Sequence, residues 1–165
     1  MRRILIGVWS DPNSNGNALS WQRQRRSNQM MILGRVWYEL FESEVRWLDR
    51  QTNSEYVELG RQVRLEMADG SFLYIAWNDL PGNDFYVDFG AASFCVGAAE
   101  VTREASASPL WLPLVGRPIE LVYRDKERQV LEIRSGKSVV YCCSFGRGHW
   151  HADILHVAGR VSEPD

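Results

Sequence analysis

One segment of this chain recurs without a gap. Leu65-Glu66-Met67-Ala68-Asp69-Gly70-Ser71-Phe72-Leu73-Tyr74-Ile75 aligns on Leu131-Glu132-Ile133-Arg134-Ser135-Gly136-Lys137-Ser138-Val139-Val140-Tyr141. Upstream of each copy stands a second matched pair, Leu33-Gly34-Arg35-Val36 and Val115-Gly116-Arg117-Pro118-Ile119. Each unit reads as a strand opened by Gly-Arg, a connection, and a tight hairpin. Val63, Leu65 and Met67 alternate with Arg64 and Glu66, which marks a half-buried strand. Asp69-Gly70 suits the positive φ of a type I′ or bulged turn. The expectation is an all-β fold: a duplicated antiparallel sandwich or open barrel of about eight to ten strands, with room for one short helix.

The walk along the chain places strands at Arg35 to Phe41, Tyr56 to Met67, Phe72 to Trp77 and Phe85 to Phe89, with a turn over Asn78 to Asp84. Ala91 to Glu104 suits either a short helix or a strand through Phe94-Cys95-Val96. Ser106-Ala107-Ser108-Pro109 punctuates the chain, dividing the pseudo-repeats 31–105 and 110–158. The second half then reads as Arg117 to Tyr123, Gln129 to Arg134, Lys137 to Ser144 and Trp150 to Val157. One β domain spans 30–158. Residues 1–29 are expected to be a flexible extension, with Met30-Met31 as an alternative start, and 159–165 a polar tail.

Hydrophobic residues make up 45% and charged residues 24%, and the net charge is −2. That balance gives no bulk positive field for nucleic acid or an anionic membrane. Arg23, Arg25 and Arg26 form a small basic cluster that reads as solvated. Met1-Arg2-Arg3 before Ile4 to Trp9 mimics a signal peptide, but the apolar run is short and Asp11-Pro12-Asn13 replaces a cleavage site. No run approaches the length of a membrane helix. Cys95, Cys142 and Cys143 are an odd set, and strand neighbours face opposite ways, so reduced thiols in a cytoplasmic protein are expected.

The chemistry-bearing motifs are sparse. His149-Trp150-His151-Ala152-Asp153 sets two imidazoles and a carboxylate on one strand face, a spacing that suits zinc, although His-x-His strands are common without metal. Ser144 and Ser93 lack a nucleophile elbow, and the cysteines resemble small apolar strand residues. Asp79, Asp84 and Asp88 fit a polar sheet face, and Gly146-Arg147-Gly148 is followed by no helix start. No cofactor is implied and no enzyme is argued for. The first unit is longer than the second in its first connection, over Ser43 to Leu59. The insertion is either a binding loop or a strand extension or short helix covering a sheet edge.

The paired Gly-Arg segments, Asp69-Gly70-Ser71-Phe72-Leu73-Tyr74-Ile75-Ala76-Trp77, Trp111-Leu112-Pro113-Leu114 and Asp153-Ile154-Leu155-His156-Val157 resemble small bacterial immunity-like proteins built from two β units. The resemblance spans Met31 to about Val157 and carries over no functional residue. It implies a non-enzymatic protein that neutralises a cognate toxin by direct occlusion, with no nucleic acid or membrane partner. Such a module needs exposed aromatic anchors and, against a basic target, acidic groups. The candidates are Glu42, Glu44, Trp47 and Asp49 on the inserted connection, with Asp79 and Asp84 on a neighbouring turn. The alternatives are a small-ligand or metal-binding protein using His149, His151 and Asp153, and a subunit interaction module with a large exposed apolar patch.

Overall fold

Alternation of apolar and polar residues sets the inward face of each strand. The computed structural model describes residues 31–48, 55–80, 84–95, 97–144 and 155–160. Strand β1, Leu33–Leu40, buries Val36, Tyr38 and Leu40 and exposes Arg35. Helix α1, Glu42–Leu48, follows, and its Val45 and Leu48, three residues apart, pack on the core. Then come β2, Tyr56–Leu59, β3, Gln62–Met67, β4, Phe72–Leu80, β5, Asp84–Gly90, and β6, Val101–Glu104. The second half supplies β7, Glu120–Tyr123, β8, Val130–Ser135, β9, Ser138–Cys143, and β10, Leu155–Ala158.

The fold is an all-β antiparallel sandwich with one short helix. The first sheet has the order β5-β4-β3-β1-β6 and the second β2-β10-β9-β8-β7. Within them, β1-β3-β4-β5 and β7-β8-β9-β10 each trace a four-strand antiparallel meander, one from each half of the chain. The core between the sheets is built by Val36, Leu65 and Ile75 from one side and Leu131, Ile133 and Val157 from the other, all at 0% exposure. Trp111, also fully buried, donates its indole N–H to Tyr38 Oη at 2.8 Å. Among the described residues no helix is long and apolar enough to cross a membrane.

Several boundaries differ from the sequence expectation. Tyr56 to Met67 is two strands in different sheets: the chain bends at Gly60-Arg61, β2 joins the second sheet beside β10, and β3 lies in the first. Val57, Leu59, Val63 and Leu65 all have the same parity, so alternation runs through the break and cannot reveal it. The inserted connection therefore forms a helix and an edge strand. Of the expected turn at Asn78 to Asp84, residues 81–83 lie outside the described residues, and 78–80 and 84 are strand, because β4 and β5 continue beyond the start of β3 as a two-stranded ribbon. There Asn78 Nδ2 donates to Tyr86 Oη at 3.0 Å.

Ala91 to Glu104 contains neither a helix nor a strand through Phe94 among its described residues; its strand is β6, which pairs with β1. Arg117 to Ile119 precede β7 and instead bond to the residues that open β1. Leu33 N–H donates to Arg117 O at 3.0 Å, and Gly116 N–H to Leu33 O at 2.7 Å. The two Gly-Arg segments thus hold each other. Residues 1–30 and 161–165 lie outside the described residues, as does the start of the expected last strand, Trp150 to Ile154.

The aligned hairpins close by different turns. Gly70, at φ +84°, donates to Met67 O at 2.9 Å, and Met67 N–H to Ser71 O at 2.8 Å, giving a bulged turn. Gly136, at φ +58°, is the first of two residues between the paired Ser135 and Ser138, the position where a type II′ turn requires glycine.

Candidate functional site

The register of the first sheet lines up Glu39, Gln62, Ala76 and Asp88 in one row across β1, β3, β4 and β5. All four are buried, although the row lies on the face turned away from the core. Buried polar groups need partners, and these have them. Glu39 accepts from Gln62 Nε2 at 2.5 Å and pairs with Arg64 at 3.1 Å. Gln62 Nε2 also donates to Ser93 Oγ at 2.8 Å, and its Oε1 accepts the Phe94 N–H at 3.1 Å. These bonds hold the segment after β5 down on the outward face.

Beyond this row the strands reach one common end of the sheet. There β1 passes into Phe41 and α1, β3 is preceded by Gly60 and Arg61, and β4 and β5 extend as their ribbon. Glu44 is central to the join. Its Oε2 accepts the Phe41 N–H at 2.6 Å, half of a capping box for α1, and its Oε1 accepts the Gly60 N–H. Trp77 Nε1 donates to Gly60 O at 3.4 Å, tying the ribbon to the same bend. The buried Arg61 guanidinium lies 5.0 Å from the centroid of the Phe41 ring, while Phe41 itself is 41% exposed. Glu42 is exposed, and its backbone N–H donates to Glu100 Oε2 at 2.8 Å.

Of the sequence candidates, this end of the sheet receives Glu42 and Glu44 and, by backbone position, Asp79 and Asp84, which pair with Phe85 and Leu80. Trp47 sits on α1. Asp49, His149, His151 and Asp153 lie outside the described residues. Among the described residues no group of three His, Cys, Asp or Glu side chains gathers as a metal would require.

The described thiols are held protonated. Burial raises the Cys142 thiol well above its ordinary value and pushes Cys143 up to about 12. Burial also raises Cys95, and the neighbouring Arg61 only partly offsets it. Thiols held protonated are poor nucleophiles.

Two clusters gave no sequence signal because their members are far apart in the chain. Arg128, the only non-glycine residue at positive φ among the described residues, reaches from the β7–β8 connection to the edge strand β5. Its Nη2 meets Asp88 Oδ1 at 2.5 Å, and its guanidinium lies 4.7 Å and 5.0 Å from the Tyr86 and Tyr123 ring centroids. Its carbonyl accepts the Val87 N–H at 2.8 Å, so this clamp also covers the sheet edge. On the second sheet Tyr56 Oη bonds Glu58 Oε1 at 2.7 Å and contacts His156 Nδ1. His156 is 2% exposed and pairs with Glu58 across β2 and β10. Comparison with family models, with curated proteins and with solved structures gives no match to this chain.

Proposed function

We propose that the chain is a non-enzymatic binding protein of the bacterial cytoplasm, an immunity protein that neutralises a toxin domain by lying across it. The observation that supports this reading is the convergence at one end of the first sheet. Exposed Phe41 and Glu42, on the approach to α1, stand at the same end of the sheet as the ribbon that carries Asp79 and Asp84, although these segments are far apart in sequence. An exposed aromatic group at a sheet end that carries acidic residues, on a braced scaffold, suits a basic partner surface: the aromatic anchors, and the charges steer. Glu44 contributes by holding α1 to the β2–β3 bend, since both its oxygens accept backbone N–H groups.

The test is capture and titration of the product of the adjacent gene. Intact protein is expected to bind it. Glu42→Lys with Asp79→Lys should slow association and reduce its salt dependence. Capture of no neighbouring product would remove the immunity reading, and full-speed association by the reversed variant would move the interface elsewhere.

A further inference from the structure

The outward face of the first sheet carries a second surface, on the far side of the buried row from the acidic end. Arg64 pairs with Tyr74 on one side and Trp37 on the other, so these three form one row. Two residues along each strand lies the next row, where Glu66 pairs with Phe72 and Arg35. The strands therefore carry matched doublets: Tyr74 and Phe72 on β4, Arg64 and Glu66 on β3, Trp37 and Arg35 on β1. Each doublet consists of two groups that attract each other: two aromatic rings, two opposite charges, and an indole with a guanidinium.

The geometry points to a homodimer formed through this face, the partner being a second copy of this chain. A two-fold axis lying across the strands, between the two rows, sets Tyr74 over the partner copy's Phe72, Arg64 over its Glu66 and Trp37 over its Arg35. A two-fold interface must be self-complementary, residue for residue, and this face is so on all three strands. Sheets stack about 10 Å apart, within reach of these long side chains.

The face is already ordered within one chain. Trp37 Nε1 donates to Glu66 Oε2 at 3.1 Å, and the Arg64 guanidinium lies 5.4 Å from the Trp37 ring and 5.5 Å from the Phe72 ring. Groups fixed before association lose less entropy on binding. Phe72 is nonetheless 41% exposed, and Arg35 is exposed beside it. An axis across the strands also points the two acidic ends in opposite directions, so both stay free for a partner.

Sedimentation velocity of the full chain from about 1 to about 100 μM, the range that brackets a moderate interface, tests the proposal. The expected result is a species of twice the 19.0 kDa chain mass. Phe72→Lys and Arg35→Glu should each weaken the dimer at least about tenfold, with thermal midpoint and circular dichroism unchanged. If Phe72→Lys fails to fold, Arg35→Glu decides alone, since Arg35 is exposed. An equimolar mixture of Phe72→Cys and Tyr74→Cys chains should cross-link more completely than either alone with a bismaleimide that spans about 10 Å, the sheet spacing that puts a direct disulfide out of reach. An intact chain that stays monomeric over the whole range overturns the proposal. So does a dimer that both charge variants leave intact, or one in which the cysteine mixture does not cross-link.

Discussion

Replacing Tyr38 by Phe removes a single oxygen from the core, and its cost follows from one bond. Tyr38 is 5% exposed and Trp111 0%, and the Trp111 N–H donates to the Tyr38 hydroxyl at 2.8 Å. Burial also pushes the Tyr38 phenol up, so the group is a neutral hydroxyl at any working pH. Without it the indole N–H is left in the apolar interior, away from water. A stranded buried donor costs about 1–3 kcal/mol, whereas losing both partners together costs far less in hydrogen bonding. For a domain of this length about 2 kcal/mol lowers the melting midpoint by about 6 °C. Trp111→Phe carries its own packing loss, but the double variant should then be less destabilised than the sum of the singles by about 1 kcal/mol or more. Thermal melts of the four proteins form the assay. A Tyr38→Phe midpoint within about 1 °C of the parent, or strict additivity, would refute the argument.

Asp88 gives a pH signature. Burial raises its carboxyl above the ordinary 3.8 despite Arg128 beside it. The folded state therefore holds that proton more tightly than the unfolded chain, and the stability it contributes is full at low pH and lost as pH rises. The midpoint of the parent minus that of Asp88→Asn should fall from about pH 4 toward neutrality. A difference that rises with pH would mean that the Arg128 charge outweighs burial. Glu44→Ala should lower the midpoint, because it frees the Phe41 and Gly60 N–H groups, while the exposed Glu42→Lys should not. Equal effects in melts of the two variants would deny Glu44 its capping role. Cys142 and Cys143 should resist a maleimide in the native protein at about pH 8 and label after denaturation. Mass spectrometry showing rapid native labelling of either would mean that β9 opens.

The convergence of candidate residues was half legible. Glu42 and Glu44 stand close together in the sequence, and the inserted connection that holds Trp47 marks itself by its length. That Glu42 and Glu44 share one sheet end with Asp79 and Asp84 was not legible, since it needs the β1–β3–β4–β5 register and the extension of β4 past β3. Glu44 illustrates the limit. An acidic residue at a helix start reads as a contact candidate and as a cap alike, and only the Gly60 N–H brought against it decides which work its oxygens do.

Alternation and turn residues, read from the chain alone, pointed to an antiparallel all-β fold, sandwich or open barrel, with its hairpins at Asp69-Gly70 and Ser135-Gly136, and the two packed sheets decided for the sandwich. The physical reason is that strand faces and turn dihedrals are local: they depend on residues one or two apart. What local pattern cannot carry is the identity of a strand's neighbour. Tertiary structure alone sent β2 to the second sheet although the apolar parity is the same on both sides of Gly60-Arg61, and drew Arg128 from the β7–β8 connection onto Asp88. It also gave the aligned Gly-Arg pairs different tasks. A Cβ at Gly34 would stand 3.0 Å from Glu66 O, whereas Gly116 is required for its φ of +76°. Repeated sequence repeats a local preference; the partner that each copy meets is set by the packing of the whole chain.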